Sequence, residues 1–275
     1  MKIHTEPDAA PPLGSAAEYV AQSTEPVEVI DVYSPAGAAL YHWLTRTDNS
    51  EVRELVSALR HAPGEILELA CGSGRITLPL LMHGRRVTAL DSSATMLEIL
   101  KNRVQKTVPI KAGALTAIRG NMADFCFGKT FDAILLGTSS VSLLSPNDRT
   151  SMFRSVRSHL ADHGRFLMTS LEFTDEALYS GPKDEIIDRL DGPERGEVLT
   201  LFEHLDNEAR RRHVSIYCQS PNRRPRIFTT VTEIISLDTL RKEIKEFGMR
   251  VHSERGISTG REGRLDVLLE CEKVQ

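Results

Sequence analysis

Aromatic side chains are scarce in this chain. They make up 5% of 275 residues, with a single tryptophan, so stacking platforms for single-stranded nucleic acid have little to be built from. An excess of one charge is missing too. The formal balance of −4 leaves no overall basic footprint for nucleic acid or a membrane surface. No window reaches the roughly 18 continuous apolar residues of a membrane span, and Met1–Ser15, with Pro7, Pro11 and Pro12, has no apolar signal-peptide stretch. Cys71, Cys126, Cys218 and Cys271 lie far apart without C-x-x-C spacing. They read as reduced thiols of a cytoplasmic protein, with no metal site among them.

The informative segment is Ile66-Leu-Glu-Leu-Ala-Cys-Gly-Ser-Gly-Arg75. Ile66 to Ala70 suits a short buried strand, and Gly72 and Gly74 break it where a helix begins near Arg75. Such a turn presents backbone N–H groups and a helix N-terminus to a ligand. Glu68 is the unusual member, because a carboxylate there repels a pyrophosphate and attracts an ammonium and a sulfonium. That chemistry points to S-adenosylmethionine (SAM) rather than a dinucleotide. A second apolar strand, Arg86 to Leu90, ends in Asp91, placed to grip both ribose hydroxyls, with Ser92 and Ser93 opening the next helix. Asn121-Met122-Ala123 follows a third strand, Leu115 to Arg119, where an amide and a thioether can read and cover an adenine. Phe131 to Leu136 is a fourth strand closing at Gly137-Thr138-Ser139-Ser140.

Over residues 60–175 these elements together resemble the class I SAM-dependent methyltransferases. Glu68-x-Ala70-x-Gly72-x-Gly74 is similar to their first motif, with alanine where glycine is commonest. Asp91 matches their ribose acid, Asn121-Met122 a position usually Asp-Met, and Leu136-Gly137-Thr138 the segment beside the transferred methyl. The resemblance implies a three-layer α/β Rossmann-like fold: a seven-stranded, mostly parallel sheet with an antiparallel last strand, joined here by a small antiparallel β cap. SAM is the implied methyl donor and S-adenosylhomocysteine (SAH) the product. Leu69 to Arg75, Thr88 to Ser93, Leu136 to Leu144 and Tyr33 to Trp43 are also similar to the methyltransferases of daptide-type ribosomal peptide pathways. That finer resemblance implies N-methylation of a peptide C-terminal amine, with room for two methyl transfers.

Residues 1–25 are polar and proline-rich and are expected to be disordered. Residues 26–62 read as N-terminal lid helices and 63–172 as the SAM-binding core. Residues 173–235 read as a β-meander cap insertion built on Val198–Leu205, His213–Gln219 and Arg226–Ile235. Residues 236–275 form a helix capped by Ser236 and a strand pair completing the core.

Several side chains carry two readings. Tyr33 and Tyr41 either close over the SAM carboxylate and sulfonium or pack a lid helix. Arg75 either pairs with the SAM carboxylate or solvates the helix start. His42, His204 and His213 are general-base candidates or ordinary histidines. Glu172, ending the fifth strand, is a candidate anchor for a cationic acceptor, and Ser140 and Tyr41 are further substrate-side candidates. Arg210-Arg211-Arg212 with Arg223, Arg224 and Arg226 is either a solvated hairpin edge or a strip that docks an acidic peptide.

A peptide or small-molecule amine is therefore the expected acceptor. Nucleic acid is disfavoured because Gly137 to Val141 lacks the Pro-Pro-aromatic segment that holds a flipped base. An O-methyltransferase of a small metabolite and a non-catalytic SAM-binding domain are the alternatives. A nicotinamide oxidoreductase fails on Glu68, on Thr77 where the phosphate turn needs a small residue, and on the lack of Tyr-x-x-x-Lys.

Overall fold

A computed structural model describes residues 4–7, 9–46, 49, 51–60, 62, 64–107, 113–180, 183–221, 223–258 and 262–274. In chain order the elements begin with β1 (His4–Thr5), α1 (Gly14–Ala21), β2 (Glu28–Asp31), α2 (Ala38–Thr45) and α3 (Val52–Leu59). There follow β3 (Glu65–Leu69), α4 (Thr77–Met82), β4 (Arg86–Asp91), α5 (Ala94–Lys106), β5 (Leu115–Arg119) and β6 (Phe131–Leu136). After a 3-10 turn over Ser140–Leu143 come α6 (Pro146–His159), β7 (Leu160–Phe173) and α7 (Asp175–Tyr179). The chain closes with β8 (Asp184–Asp191), β9 (Val198–Asp206), β10 (Arg211–Ser220), β11 (Arg223–Glu233), α8 (Leu237–Glu246), β12 (Met249–Ser258) and β13 (Arg264–Lys273). These fall into two compact units, one of residues 1–45 and 174–234 and the other of residues 46–173 and 235–275.

The larger unit holds a seven-stranded sheet in the order β12-β13-β7-β6-β3-β4-β5. Its pairs from β7 to β5 are parallel, and β13 runs antiparallel to both β7 and β12. Strands covered on both faces need continuous apolar runs, and β3, β4 and β6 supply them. One face packs Met152, Phe153 and Val156 of α6 with Leu240 and Ile244 of α8. The other packs Leu55 and Leu59 of α3, Leu80 of α4, and Leu97 and Leu100 of α5. The result is the three-layer Rossmann-like sandwich expected from the motifs.

Local signals set the helix starts. Ser93 Oγ accepts from the Met96 N–H, Ser145 Oγ from Asp148 and Ser236 Oγ from Thr239, so each open first turn finds an acceptor. Pro79 sits at the third position of α4, where its missing N–H would have had no helical partner. β7 starts at Leu160, directly after α6, and runs through Gly164 to Phe173.

The smaller unit is a six-stranded sheet, β1-β2-β11-β10-β9-β8. β8 to β11 form an antiparallel meander, while β2 pairs parallel with β11 and β1 parallel with β2. α1 covers one face through Ala16 and Val20 against Phe202, Tyr217 and Ile227. Leu40 of α2 packs on the other face against Ile30, Ile216 and Phe228. Two expectations change here. The first 25 residues are not simply disordered, because β1 and α1 lie within them, and residues 26–62 contain a strand as well as helices. The polar stretch after residue 173 holds α7 and β8, although its Gly181 and Pro182 lie outside the described residues. Among the described residues no helix is long and apolar enough to cross a membrane.

Candidate functional site

The site candidates in the larger unit gather at the carboxyl ends of β3, β4, β5 and β6. At the tip of β3, Ala70 has φ 50° and Gly72 φ 53°, so the chain turns through left-handed conformations. No protein atom lies within 4 Å of where a Gly72 Cβ would point. The Cys71 N–H donates to Leu90 O at 3.0 Å and Arg103 Nη1 to Ser73 O at 2.7 Å, pinning the turn to β4 and α5. Cys71 is buried, and burial pushes its thiol well above the usual range, so it is a small packing residue rather than a nucleophile.

Asp91 joins the two turns. Its Oδ2 accepts from the Gly72 N–H at 2.7 Å and its Oδ1 from the Ser93 N–H at 2.8 Å. Burial raises its carboxyl above the ordinary range, against the pull of these two amides. Each oxygen keeps a lone pair, which suits two vicinal hydroxyls. The Ser92 side chain is exposed, and its carbonyl takes Arg119 Nε at 3.0 Å. Asn121 bends its own loop: Oδ1 accepts from the Ala123 N–H at 2.9 Å, and Gly120 N–H bonds Asp91 O at 3.0 Å. Ala123 and Leu136 are buried in the core, which leaves their backbones as the parts able to line a ligand, while Met122 is only partly buried.

Glu68 does not stand ready as a charge. It is 2% exposed and accepts from Thr77 Oγ1 at 2.6 Å. Burial pushes its carboxyl up to about 8; Thr77 and Arg75 lower it, and Glu51 and Asp91 raise it. Below that pH the folded protein holds a proton that the unfolded chain releases near 4.5. Stability from this group is thus lost as pH rises from about 4.5 to about 8 and is flat above. Between about pH 5 and pH 8 the wild type should lose roughly 2–4 kcal/mol relative to Glu68→Gln. Urea titrations at both pH values test this, and parallel curves for the two proteins would refute it.

Glu51, just before α3, escapes sequence reading. It is 3% exposed and forms an ion pair with Arg75, whose Nη2 also donates to Thr138 Oγ1 at 3.0 Å. Its Oε2 accepts from the Thr138 N–H and from Thr169 Oγ1, both at 2.8 Å. This holds the turn after β6, where Thr138 (φ 58°) and Ser139 (φ 50°) are consecutive left-handed non-glycine residues. Ser140 is buried, with its N–H on Gly137 O at 3.1 Å. Arg75 is therefore held by Glu51 and Thr138. Only a buried carboxylate contact from a distant helix start could have shown this.

Glu172 is also spoken for. Alternation along β7 puts it on the face of Met168, toward α8, where Oε2 accepts from the Leu237 N–H at 3.2 Å. There it completes a helix N-terminus.

Tyr33 and Tyr41 belong to the smaller unit, where their ring centroids lie 5.3 Å apart. His42 sits on α2, and His204 and His213 face each other across β9 and β10. The two arginine clusters lie at opposite ends of the β10–β11 hairpin. Arg212 pairs with Glu203, Arg223 with Glu194 and Arg226 with Glu197, which favours a neutralised sheet edge over a docking strip. Among the described residues no group of three His, Cys, Asp or Glu is placed to hold a metal.

Residues 66–164 match the family described as "Methyltransferase domain". The chain is 26% identical over 164 residues to the cypemycin N-terminal methyltransferase of Streptomyces sp, covering 58% of each chain. An uncharacterized methyltransferase of Staphylococcus carnosus (strain TM300) is 27% identical over 115 residues, 42% of this chain and 51% of the relative. The chain thus spans about half the length of these curated relatives. The glycopeptide N-methyltransferase MtfA, solved with SAM, superposes with TM-score 0.67 and 24% identity over 96% of this chain and 98% of that one, a likeness of fold. The glycine turn and the acid at the tip of β4 both fall within residues 66–164, the stretch that matches the methyltransferase-domain family.

Proposed function

We propose that this chain is a SAM-dependent N-methyltransferase whose acceptor is an amine of a peptide or small-molecule natural product. The observation that carries the cofactor reading is Asp91, fixed through both oxygens by the Gly72 and Ser93 amides beside an open glycine turn. In this reading Asp91 takes the ribose hydroxyls and the Gly72–Gly74 backbone lies along the methionine portion. The Asn121–Met122 segment meets the adenine, and the Gly137–Thr138 turn borders the methyl.

SAM supplies an electrophilic methyl on a sulfonium. The chain's own part is orientation, which can provide most of the acceleration of an in-line displacement. An amine attacks in its neutral form, the carbon–sulfur bond breaks to leave SAH, and the new ammonium sheds its proton to water or a weak base. An oxygen acceptor would need a positioned base during attack. The amine reading is supported by the relatives, since MtfA is a glycopeptide N-methyltransferase and the cypemycin enzyme an N-terminal methyltransferase by name. Transfer of two methyls to one peptide C-terminal amine belongs to the same proposal.

Asp91→Asn tests the cofactor reading. The amide keeps one acceptor for the Gly72 or Ser93 N–H but loses the charge, so SAM affinity should fall by about 1–3 kcal/mol with the fold retained. Alanine is the poorer probe, because it strips acceptors from both turns. Calorimetry with SAM and NADH on wild type and variant, followed by mass spectrometry of candidate amine peptides, is the experiment. NADH binding in preference to SAM, or unchanged SAM affinity in folded Asp91→Asn, would defeat the reading.

A further inference from the structure

The loop Gly120–Phe127 is pinned at both ends. At one end the Gly120 N–H bonds Asp91 O at 3.0 Å, which ties it to the candidate ribose acid. At the other, the Phe127 N–H donates to His159 Nε2 at 3.0 Å. His159 is the last residue of α6 and is 7% exposed. Its Nδ1 lies 2.8 Å from Ser155 O, one turn back, and 3.0 Å from Ser158 Oγ. A carbonyl can only accept, so Nδ1 carries the hydrogen and Nε2 presents a lone pair to Phe127. A proton on Nε2 would set one N–H against another, so this contact requires the neutral ring even though the end of a helix favours a cation.

The surroundings fix the ring as well as its tautomer. Phe125 and Phe127 lie 5.1 and 5.8 Å from the imidazole centroid, and Phe131 closes the cluster 5.6 Å from Phe127. Between the two pins, Asn121 O accepts from the Asp124 N–H at 3.2 Å and Asn121 Oδ1 from the Ala123 N–H at 2.9 Å, while Phe125 is buried in the core. The loop is thus a short arch, tied to β4 at one foot and to α6 at the other.

Resting on the SAM reading above, we infer that His159 is a positioning residue for adenine recognition. It touches no part of the cofactor, and it acts by holding the far foot of the arch that carries Asn121 and Met122. A histidine in a packed aromatic cluster could serve the core alone. The lone pair aimed at a backbone N–H of the adenine-side loop separates the two roles, since core packing needs the ring and positioning needs the acceptor.

His159→Phe keeps an aromatic ring and removes the acceptor, leaving a buried N–H unpaired. His159→Gln removes the ring and keeps a carbonyl that can reach the same N–H. Binding is measured by calorimetry with SAH and with its hypoxanthine analogue, which lacks the exocyclic amino group. His159→Phe should weaken SAH by about tenfold and shrink the preference for SAH over the analogue, while kcat at saturating SAM and the acceptor KM stay near wild type. His159→Gln should recover most of that preference. Nitrogen NMR of the unaltered protein with SAH should show Nε2 unprotonated at neutral pH. Wild-type affinity and preference in His159→Phe, equal losses in both variants with preference intact, or a protonated Nε2 would each overturn the inference. A wild type that binds neither nucleoside would overturn the SAM reading, and this inference with it.

Discussion

Replacing Glu51 with alanine should cost about 3–5 kcal/mol, a loss visible as a shifted urea midpoint and a lower Tm. Glu51 itself lies outside every strand. The substitution's effect comes from the partners it abandons: the Arg75 guanidinium, the Thr138 amide and the Thr169 hydroxyl all lose a buried acceptor. Removing one side of a buried ion pair leaves the other charge uncompensated, and each orphaned donor adds its own desolvation penalty. Glu51→Gln retains one carbonyl and should lose roughly 1–2 kcal/mol. The turn it braces carries Thr138 and Ser139 at positive φ, so SAM affinity should drop further than stability predicts in the folded glutamine variant. An alanine variant within 1 kcal/mol of wild type would show that Arg75 and the turn find other partners.

Gly72→Val and Gly74→Val should fail in different ways although they lie in one motif. At Gly72 no protein atom stands in the way of a side chain, so the protein should fold with a penalty of about 1–2 kcal/mol for a branched residue at φ 53°. The valine would then lie in the path proposed for the cofactor, and SAM binding should fall by more than about 100-fold, some 3 kcal/mol. At Gly74, φ is 81° and a Cβ would overlap Leu100 Cδ1, a core residue of α5. The side chain would force α5 away from β3, adding overpacking of about 1–3 kcal/mol to the backbone strain. Circular dichroism melts with calorimetry separate the two. Normal SAM affinity in Gly72→Val would move the cofactor elsewhere, and equal thermal losses in both variants would show that the space beside Gly72 is closed in solution.

The larger unit was legible because its signals are local and repeated. Leu115–Arg119 and Leu237–Glu246 stand where the pattern places them, since a buried parallel strand and a serine-capped amphipathic helix each declare themselves within a dozen residues. The smaller unit was harder to read. α1 presents only Ala16 and Val20 as buried residues, and β8 has an irregular burial pattern with exposed Ile186, so neither carries a clean period. Within the site, the glycine turn and Asp91 could be found because they lie on one motif and one strand tip. Glu51 could not, since its partners Arg75, Thr138 and Thr169 come from three separate places in the chain. Glu172 is a related case. Its place at the end of β7 is written in the sequence, but the direction of its side chain toward α8 is set by strand parity and by where Leu237 returns.

That return has a consequence for how the molecule can be taken apart. The chain leaves the seven-stranded sheet after Phe173 and re-enters it at Ile235, and the Glu172 carboxylate touches the Leu237 amide across that gap. Exit and re-entry are therefore neighbours on the larger unit. A short glycine-serine bridge from residue 173 to residue 235, with the chain started at residue 46, would connect that unit's two pieces without stretching. The second sheet would not survive the reciprocal cut so easily, because β2 is paired with β11 and its two pieces must be supplied together. The larger unit is the portable one, free to be joined to other inserts.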